Sequence, residues 1–95
     1  MLAALFYQTA PDYLERRAAY RDRHLAHIRS WHAEGKVVSA GALETADGDF
    51  DGALLIFRCD SLDEPADFAA EDPYFINGVV TGWTVKEWMV VVGDE

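Results

Sequence analysis

The order of apolar and helix-forming segments constrains the fold of this chain more than any other feature of its sequence. Apolar, β-prone runs cover residues 2–8, 36–43, 52–59 and 81–92, and helix-forming stretches follow the first and the third run. This β-α-β-β-α-β order is that of a ferredoxin-like unit. We therefore predict an α+β fold in which a four-stranded antiparallel sheet carries two helices on one face.

The two predicted helices have clear boundary signals. Residues 12–34 contain neither glycine nor proline and are predicted to form one continuous helix, which Gly35 ends in a left-handed conformation. The second helix is predicted to begin at the capping box 61–64 and to stop before Pro73.

Size, composition and charge restrict the class of protein. The 95 residues are predicted to form a single domain, 1–95, and 51% of them are hydrophobic, as in a folded protein. Seventeen acidic against eight basic side chains give a net charge of −9, which repels phosphate backbones and anionic lipids. No segment has the composition of a membrane span or a signal peptide. We expect a cytoplasmic protein that binds neither nucleic acid nor membranes.

The strands are apolar at nearly every position, which bears on assembly. Residues 2–7, 53–57 and 89–92 contain few polar side chains, and this indicates that both faces of the sheet are buried. The helices cover only one face. We therefore predict a homodimer in which the other face packs against the sheet of a second copy.

The sequence predicts no cofactor. His24, His27 and His32 share the first predicted helix, but two imidazoles at i, i+3 spacing do not complete a metal site without further ligands. Cys59 is the one cysteine and is interpreted as a packing residue. The chain has no glycine-rich phosphate loop of the nucleotide-binding types.

Two side chains of the first helix are costly to bury. On a helical wheel with about 100° per residue, one arc is apolar and contains Leu14, Ala18, Leu25 and Ile28. Arg21 falls inside this apolar arc, and His24 lies just beyond it. A cation and an imidazole at such positions indicate a functional site. The alternative is that Arg21 extends its guanidinium group to the helix edge and that His24 is an ordinary boundary residue.

The later segment Asp72-Pro73-Tyr74 can complete such a site. A neutral imidazole can take a proton, a carboxylate on its other nitrogen fixes its tautomer, and a guanidinium group holds an anionic oxygen. His24 and Asp72 are therefore candidate catalytic residues, and Arg21 and Tyr74 candidate substrate-binding residues. Because Asp before Pro is also a common turn signal, a structural role for Asp72 stays open. The pair can meet only if the chain after Pro73 folds back along the first helix.

An ordered set of short motifs covers essentially the whole chain. They are Arg21-x-x-His24-Leu25 in the first helix, Gly35 at its end, Ala40-Gly41 in the second strand, and Asp72-Pro73-Tyr74 with Gly78-Val79 before the last strand. Each motif alone is weak, but in this order they resemble the YciI-like, or YCII-related, proteins.

The resemblance implies a dimeric ferredoxin-like α+β barrel in which a His-Asp pair performs acid–base chemistry on a small organic molecule. By position, His24 and Asp72 match that pair and Arg21 matches an anion-holding neighbour. Elimination-type dehalogenation of hydroxylated aromatics is among the chemistries associated with the family. The chain departs from the family pattern at Ala42, where relatives often carry proline, and in a short loop before the third strand, so the substrate stays open.

Two functions from different classes remain. One is a cofactor-independent enzyme of the lyase, isomerase or hydrolase type that uses His24 as a base or an acid. The other is a non-catalytic dimeric module that binds a small acidic ligand through Arg21. The two differ in whether removal of the imidazole abolishes turnover while ligand binding is retained.

Overall fold

Antiparallel strands form one sheet, and helical segments pack on one of its faces. The computed structural model describes residues 1–93. Its elements, in chain order, are β1 (Leu2–Thr9), α1 (Tyr13–Arg17), α2 (Arg21–Ala33), β2 (Val37–Glu44), β3 (Phe50–Arg58), α3 (Asp63–Glu71), α4 (Pro73–Ile76) and β4 (Val80–Trp88). The strand order is β2-β3-β1-β4, and every neighbouring pair is antiparallel. The predicted ferredoxin-like α+β class is confirmed, although the helical layer consists of more than two segments.

Alternation along the strands separates the side chains between the two faces of the sheet. On β1, Ala3, Leu5 and Tyr7 belong to the buried core beneath the helices. Leu5 pairs with Leu55 of β3, which is buried on the same side. Phe6 points the other way and is 40% exposed.

The face of the sheet away from the helices is rich in apolar side chains, and we call it the open sheet face. It presents a groove lined by Ala4, Phe6, Leu54, Ile56, Lys86, Glu87 and Trp88. Trp88, at the end of β4, is 50% exposed in the single chain. A contiguous exposed apolar surface of this kind is typical of protein–protein interaction sites.

Aromatic rings join α2 and α3 to the sheet. The ring centre of Phe68 in α3 lies 5.2 Å from that of Phe57 in β3 and 5.3 Å from that of Trp31 in α2. Both contacts are edge-on, the geometry that aromatic pairs prefer. Since Phe57 and Phe68 are fully buried, Phe68 anchors α3 to two other elements at once.

Replacing Phe68 with alanine should lower the free energy of unfolding by about 3 to 5 kcal/mol, because the change removes buried surface and leaves a cavity. Urea unfolding followed by circular dichroism measures this loss. Ile76→Ala is the matched control, since Ile76 is an exposed apolar residue, and it should change stability by less than about 0.5 kcal/mol. A loss below about 1 kcal/mol for Phe68→Ala would contradict the anchoring role.

The first helical stretch is interrupted, so the prediction of one continuous helix is wrong. α1 ends at Arg17 and α2 begins at Arg21, and Tyr20 stays in the right-handed helical region but, with a φ of −119° and a ψ of −1°, departs from the regular helical angles. No glycine or proline marks this break. Because the break resets the helical phase, Tyr13 is buried whereas Leu14, inside the apolar arc of a continuous helix, is exposed. None of the helices within residues 1–93 has the length and apolar character needed to cross a membrane.

The last strand is shorter than the predicted span of 81–92. β4 ends at Trp88, whose partner on β1 is Leu2, the first residue of that strand. Since β1 begins at Leu2, β1 has no residue left to pair with the described positions after Trp88. Met89 and Val91 consequently lie outside the sheet and are exposed.

Candidate active site

His24 and Asp72 contact each other in the interior of the protein. Nδ1 of His24 lies 2.8 Å from Oδ1 and 3.0 Å from Oδ2 of Asp72. Asp72 is 0% exposed and His24 is 9% exposed. α4 follows Asp72 directly and packs on α2, so the chain folds back as the pairing requires.

The Asp-Pro-Tyr sequence positions the Asp72 carboxylate through local structure. Asp72 is the N-cap of α4, and its Oδ1 accepts a hydrogen bond from the backbone N–H of Tyr74 at 2.9 Å. Pro73 occupies the first turn of α4, where an N–H group has no helical partner to lose. The carboxylate therefore caps a helix and binds His24 at the same time.

Tyr7 of β1 binds the same carboxylate, and the sequence pattern does not distinguish it from a core residue. Its hydroxyl donates to Oδ2 of Asp72 at 2.6 Å. Burial and the neighbouring carboxylate raise the pKa of Tyr7 far above its usual value, so the phenol keeps its proton. The sequence signal that could have identified Tyr7 as a site residue is that a tyrosine facing inward from a buried strand needs a hydrogen-bond partner.

Tyr74 packs flat against the imidazole. The two ring centres are 3.6 Å apart and the planes differ by 5°. Tyr74 is 2% exposed, and its hydroxyl is buried without a hydrogen-bond partner among the described residues. Burial, and to a smaller extent Tyr13, raise the pKa of the Tyr74 phenol, whereas the Arg21 guanidinium group acts in the opposite direction. Tyr74 thus offers an unused hydrogen-bond donor.

Tyr7, His24 and Tyr74 line one cavity of about 180 Å³. Arg17 and Arg21 also line it, although Arg21 is exposed overall rather than buried in the apolar arc. No carboxylate is among the described residues at its wall, and its two charged side chains are both arginines, in a chain with a net charge of −9. This contrast favours small anionic or polarised ligands.

His24 lines this cavity, and one of its ring nitrogens is free. Nδ1 is bound to Asp72, whereas Nε2 makes no hydrogen bond to any described residue, and His24 is one of the lining residues. Small residues of β2, Ala40 and Gly41, leave space on the sheet side of the cavity. A molecule in the cavity can therefore approach Nε2.

The family model for the YCII-related domain matches residues 1–89. The chain belongs to the YCII-related family. An uncharacterized protein of Haemophilus influenzae is 33% identical across 96% of this YCII-related chain and 99% of its own length. Protein YciI of Escherichia coli is 32% identical across the same shares of the two chains.

A solved structure with the same YCII-related fold is that of 5-chloro-2-hydroxyhydroquinone dehydrochlorinase (TftG) from Burkholderia phenoliruptrix. It aligns with a TM-score of 0.78 and 28% identity over 94% of each chain. That structure is a complex with 2,5-dihydroxybenzoquinone. The likeness therefore extends over nearly the whole of both molecules.

The other two histidines of the YCII-related chain serve packing. Nε2 of His27 donates to the Phe68 carbonyl at 2.9 Å and the His27 ring stacks on that of Phe68, so His27 is partly buried and not a surface residue. Nδ1 of His32 donates to the Val37 carbonyl at 2.7 Å, which ties the end of α2 to β2. No group of three or more His, Cys, Asp or Glu side chains within residues 1–93 is arranged to hold a metal ion.

Alkaline pH should destabilise this YCII-related protein through Tyr7. Folding raises the pKa of Tyr7 above the unfolded value of about 10, so its contribution to stability is complete below that pH and is lost above it. Above that pH, the titration of Tyr7 lowers the free energy of unfolding by up to about 1.4 kcal/mol per pH unit. Urea unfolding of Tyr7→Phe should show a correspondingly shallower decline above about pH 10. Equal slopes for the two proteins would contradict this linkage.

Proposed function

We propose that this chain is a cofactor-independent enzyme in which His24 transfers a proton to or from a small organic substrate bound in the cavity. The observation that carries the proposal is the buried His24–Asp72 pair, because His24 lines a cavity that Arg17 and Arg21 also line. A buried carboxylate that contacts neither Arg nor Lys among the described residues is costly to keep for packing alone. A catalytic use of the pair accounts for that cost.

Asp72 and His24 have different tasks in this mechanism. Nδ1–H donates to the Asp72 carboxylate, which orients the ring and stabilises the imidazolium form. Nε2 then takes a proton from a substrate hydroxyl group and returns it at another atom of the substrate. General acid–base catalysis of this kind contributes about 10²- to 10⁴-fold in rate.

Arg21 and Tyr74 bind the oxygen on which negative charge develops. The Tyr74 hydroxyl is a buried donor without a described partner, and its raised pKa keeps it protonated. Arg21 and Arg17 line the same cavity and supply positive charge. Donors that are in place before the reaction stabilise an enolate-like oxygen efficiently, because they need no reorganisation.

Elimination from a hydroxylated ring is the reaction class with the most support. The dehydrochlorinase that shares the fold is named for 5-chloro-2-hydroxyhydroquinone. For such a compound, one hydroxyl proton moves to the carbon that bears chlorine. Loss of a second hydroxyl proton then forms a carbonyl group and expels chloride with its bonding electron pair. The net change is loss of HCl to give a quinone, so no external oxidant is needed.

Chloride release from 5-chloro-2-hydroxyhydroquinone tests the proposal. We expect the purified protein to accelerate it over the uncatalysed reaction under anaerobic conditions, as measured by ion chromatography. Calorimetric titration with 2,5-dihydroxybenzoquinone measures ligand binding separately. Binding of the quinone without any acceleration of chloride release would overturn the elimination proposal and favour the non-catalytic binding module.

The enzyme in this proposal is a homodimer in which two open sheet faces pack against each other. Support comes from the exposed apolar side chains Phe6 and Trp88, which share one groove with Leu54 and Ile56. A second copy covers an apolar sheet face with another apolar sheet face.

A cytoplasmic location is part of the same proposal. Cys59, the one cysteine of the sequence, is a buried free thiol, which suits a reducing compartment. The net charge of −9 suits a protein that diffuses freely among nucleic acids and anionic lipids without binding them.

A further inference from the structure

We infer that the substrate of this site is a hydroxylated aromatic acid, and that Arg17 binds its carboxylate group while Arg21 and Tyr74 hold the reacting ring oxygen. This substrate class rests on the proposed function, since the same cavity is involved, and it extends that function from a reaction to the kind of molecule that reacts. Ligand binding measures it without any turnover.

Arg17 is held at the cavity wall by two aromatic side chains. Its guanidinium carbon lies 5.2 Å from the ring centre of Tyr13 and 5.9 Å from that of Phe50. Nη1 of Arg17 also donates a long hydrogen bond to the Tyr13 hydroxyl, at 3.4 Å. Tyr13 is buried and lies one helical turn before Arg17 on α1. These contacts orient the guanidinium group but leave its charge without a counter-ion.

No carboxylate within residues 1–93 forms an ion pair with Arg17. The contrast with the neighbouring Arg16 is clear, because Nε of Arg16 lies 2.9 Å from Oδ1 of Asp12. Arg17 is only partly exposed, and it lines the cavity. A guanidinium group that is partly removed from water and has no carboxylate partner favours an anionic group on the ligand.

Arg21 occupies a different position in the same cavity. Burial and Tyr13 raise the pKa of Tyr74, and the charge of Arg21 opposes them more strongly than that of Arg17 does. Arg21 is therefore the guanidinium group nearer to the Tyr74 hydroxyl. The cavity thus offers two cationic positions, whereas the proposed reaction develops negative charge on one substrate oxygen. Arg17 is available for a second anionic group.

The remaining wall of the cavity suits one aromatic ring. Its aliphatic lining side chains include Leu25, Ile28, Ala53, Leu55 and Val80. An apolar cavity of about 150 Å³ holds one benzene molecule. The present cavity, of about 180 Å³, has room for one ring with small substituents. A free inorganic anion would bind Arg17 but leave this apolar wall uncovered, so we place the anionic group on the ring.

A hydroxylated aromatic acid matches both cationic positions. Its carboxylate group accepts hydrogen bonds from Arg17, whose planar guanidinium group suits two parallel bonds. Its ring hydroxyl lies beside Arg21 and Tyr74 and becomes a phenolate when His24 takes the proton. The two negative charges of the ligand then face two guanidinium groups.

Calorimetric titration with two ligands that differ only in the carboxylate group tests the inference. The ligands are 2,5-dihydroxybenzoate and hydroquinone, each titrated into the purified protein near neutral pH. We expect the wild-type protein to bind 2,5-dihydroxybenzoate about 10- to 100-fold more tightly, as a hydrogen bond between charged groups provides. Equal affinities, or no measurable binding of 2,5-dihydroxybenzoate, would overturn the inference without any variant.

Arg17→Gln should remove this preference. Its affinities for the two ligands should lie within about threefold of each other, and its affinity for hydroquinone should equal that of the wild-type protein. Arg16→Gln is the matched control, since it removes the same charge from an exposed side chain on the same helix that does not line the cavity. It should bind both ligands as the wild-type protein does. A folded Arg17→Gln variant that keeps the wild-type preference would overturn the role of Arg17.

Arg21→Gln separates the two arginines. It should weaken the binding of both ligands by similar factors, because both carry the ring hydroxyl that Arg21 holds. A preference that is lost in Arg21→Gln and kept in Arg17→Gln would assign the carboxylate to Arg21 and overturn the inference.

Chloride release from 5-chloro-2-hydroxyhydroquinone does not enter these titrations, so the two proposals fail separately. The expected binding pattern without any acceleration of chloride release would support an aromatic acid as the ligand and overturn the enzymatic proposal alone. Accelerated chloride release together with equal affinities for 2,5-dihydroxybenzoate and hydroquinone would overturn the role of Arg17 alone.

Discussion

Replacing His24 with asparagine should lower kcat for chloride release from 5-chloro-2-hydroxyhydroquinone by about 10²- to 10⁴-fold, the usual contribution of a general acid–base group. The asparagine amide nitrogen occupies roughly the place of Nδ1 and can still donate to Asp72, so the buried carboxylate keeps a partner. The variant has no counterpart of Nε2. We expect the affinity for 2,5-dihydroxybenzoquinone to change by much less than kcat, because Arg21 and Tyr74 remain.

His32→Asn is the matched control for this variant. It makes the same chemical change on the same helix, but His32 lies outside the cavity and its Nδ1 binds only the Val37 carbonyl. Its kcat should stay within about twofold of the wild-type value. A folded His24→Asn variant that keeps most of its turnover would remove His24 from the mechanism.

Placing lysine at Ile56 should convert the proposed dimer into a monomer. Ile56 of β3 lines the groove on the open sheet face. Since a two-fold axis repeats the change in both subunits, two desolvated charges replace two apolar contacts. We expect the dissociation constant of the dimer to rise by at least about 100-fold. Sedimentation velocity at micromolar concentration measures the shift, and circular dichroism checks the fold.

Ala70→Lys controls for the added charge. Ala70 is exposed on α3, which packs on the opposite face of the sheet, so this variant should sediment as the wild-type protein does. A wild-type protein that is monomeric at these concentrations, or an Ile56→Lys variant that stays dimeric, would show that the open sheet face is not the interface.

The fold follows from the sequence wherever local pattern and tertiary pairing agree. The order of the strands and helices along the chain could be predicted because each apolar run is bounded by turn signals. The end of β4 could not, since it depends on where β1 begins, and Trp88 pairs with Leu2. The break before α2 was equally hidden, because no glycine or proline marks the residues between α1 and α2.

The candidate site could also be predicted only in part. His24 and Asp72 could be selected from the sequence because an imidazole near an apolar arc needs a partner, and the Asp-Pro-Tyr segment later in the chain offers a carboxylate. Tyr7 could not, since a tyrosine in an apolar strand has the pattern of a core residue. Only the tertiary fold, which places Asp72 between α3 and α4 against β1, brings the Tyr7 hydroxyl within 2.6 Å of the carboxylate. The cost of burying that carboxylate explains why such a donor is needed.

The account depends most directly on the approach of a substrate-like molecule to Nε2 of His24. A crystal structure of the protein with 2,5-dihydroxybenzoquinone tests this approach in one measurement. We predict a quinone oxygen within about 3.2 Å of Nε2, with Nδ1 still bound to Asp72. A second oxygen should lie near the Tyr74 hydroxyl or the Arg21 guanidinium group. A quinone bound outside the cavity, or a His24 ring turned away from Asp72 in the complex, would contradict the account.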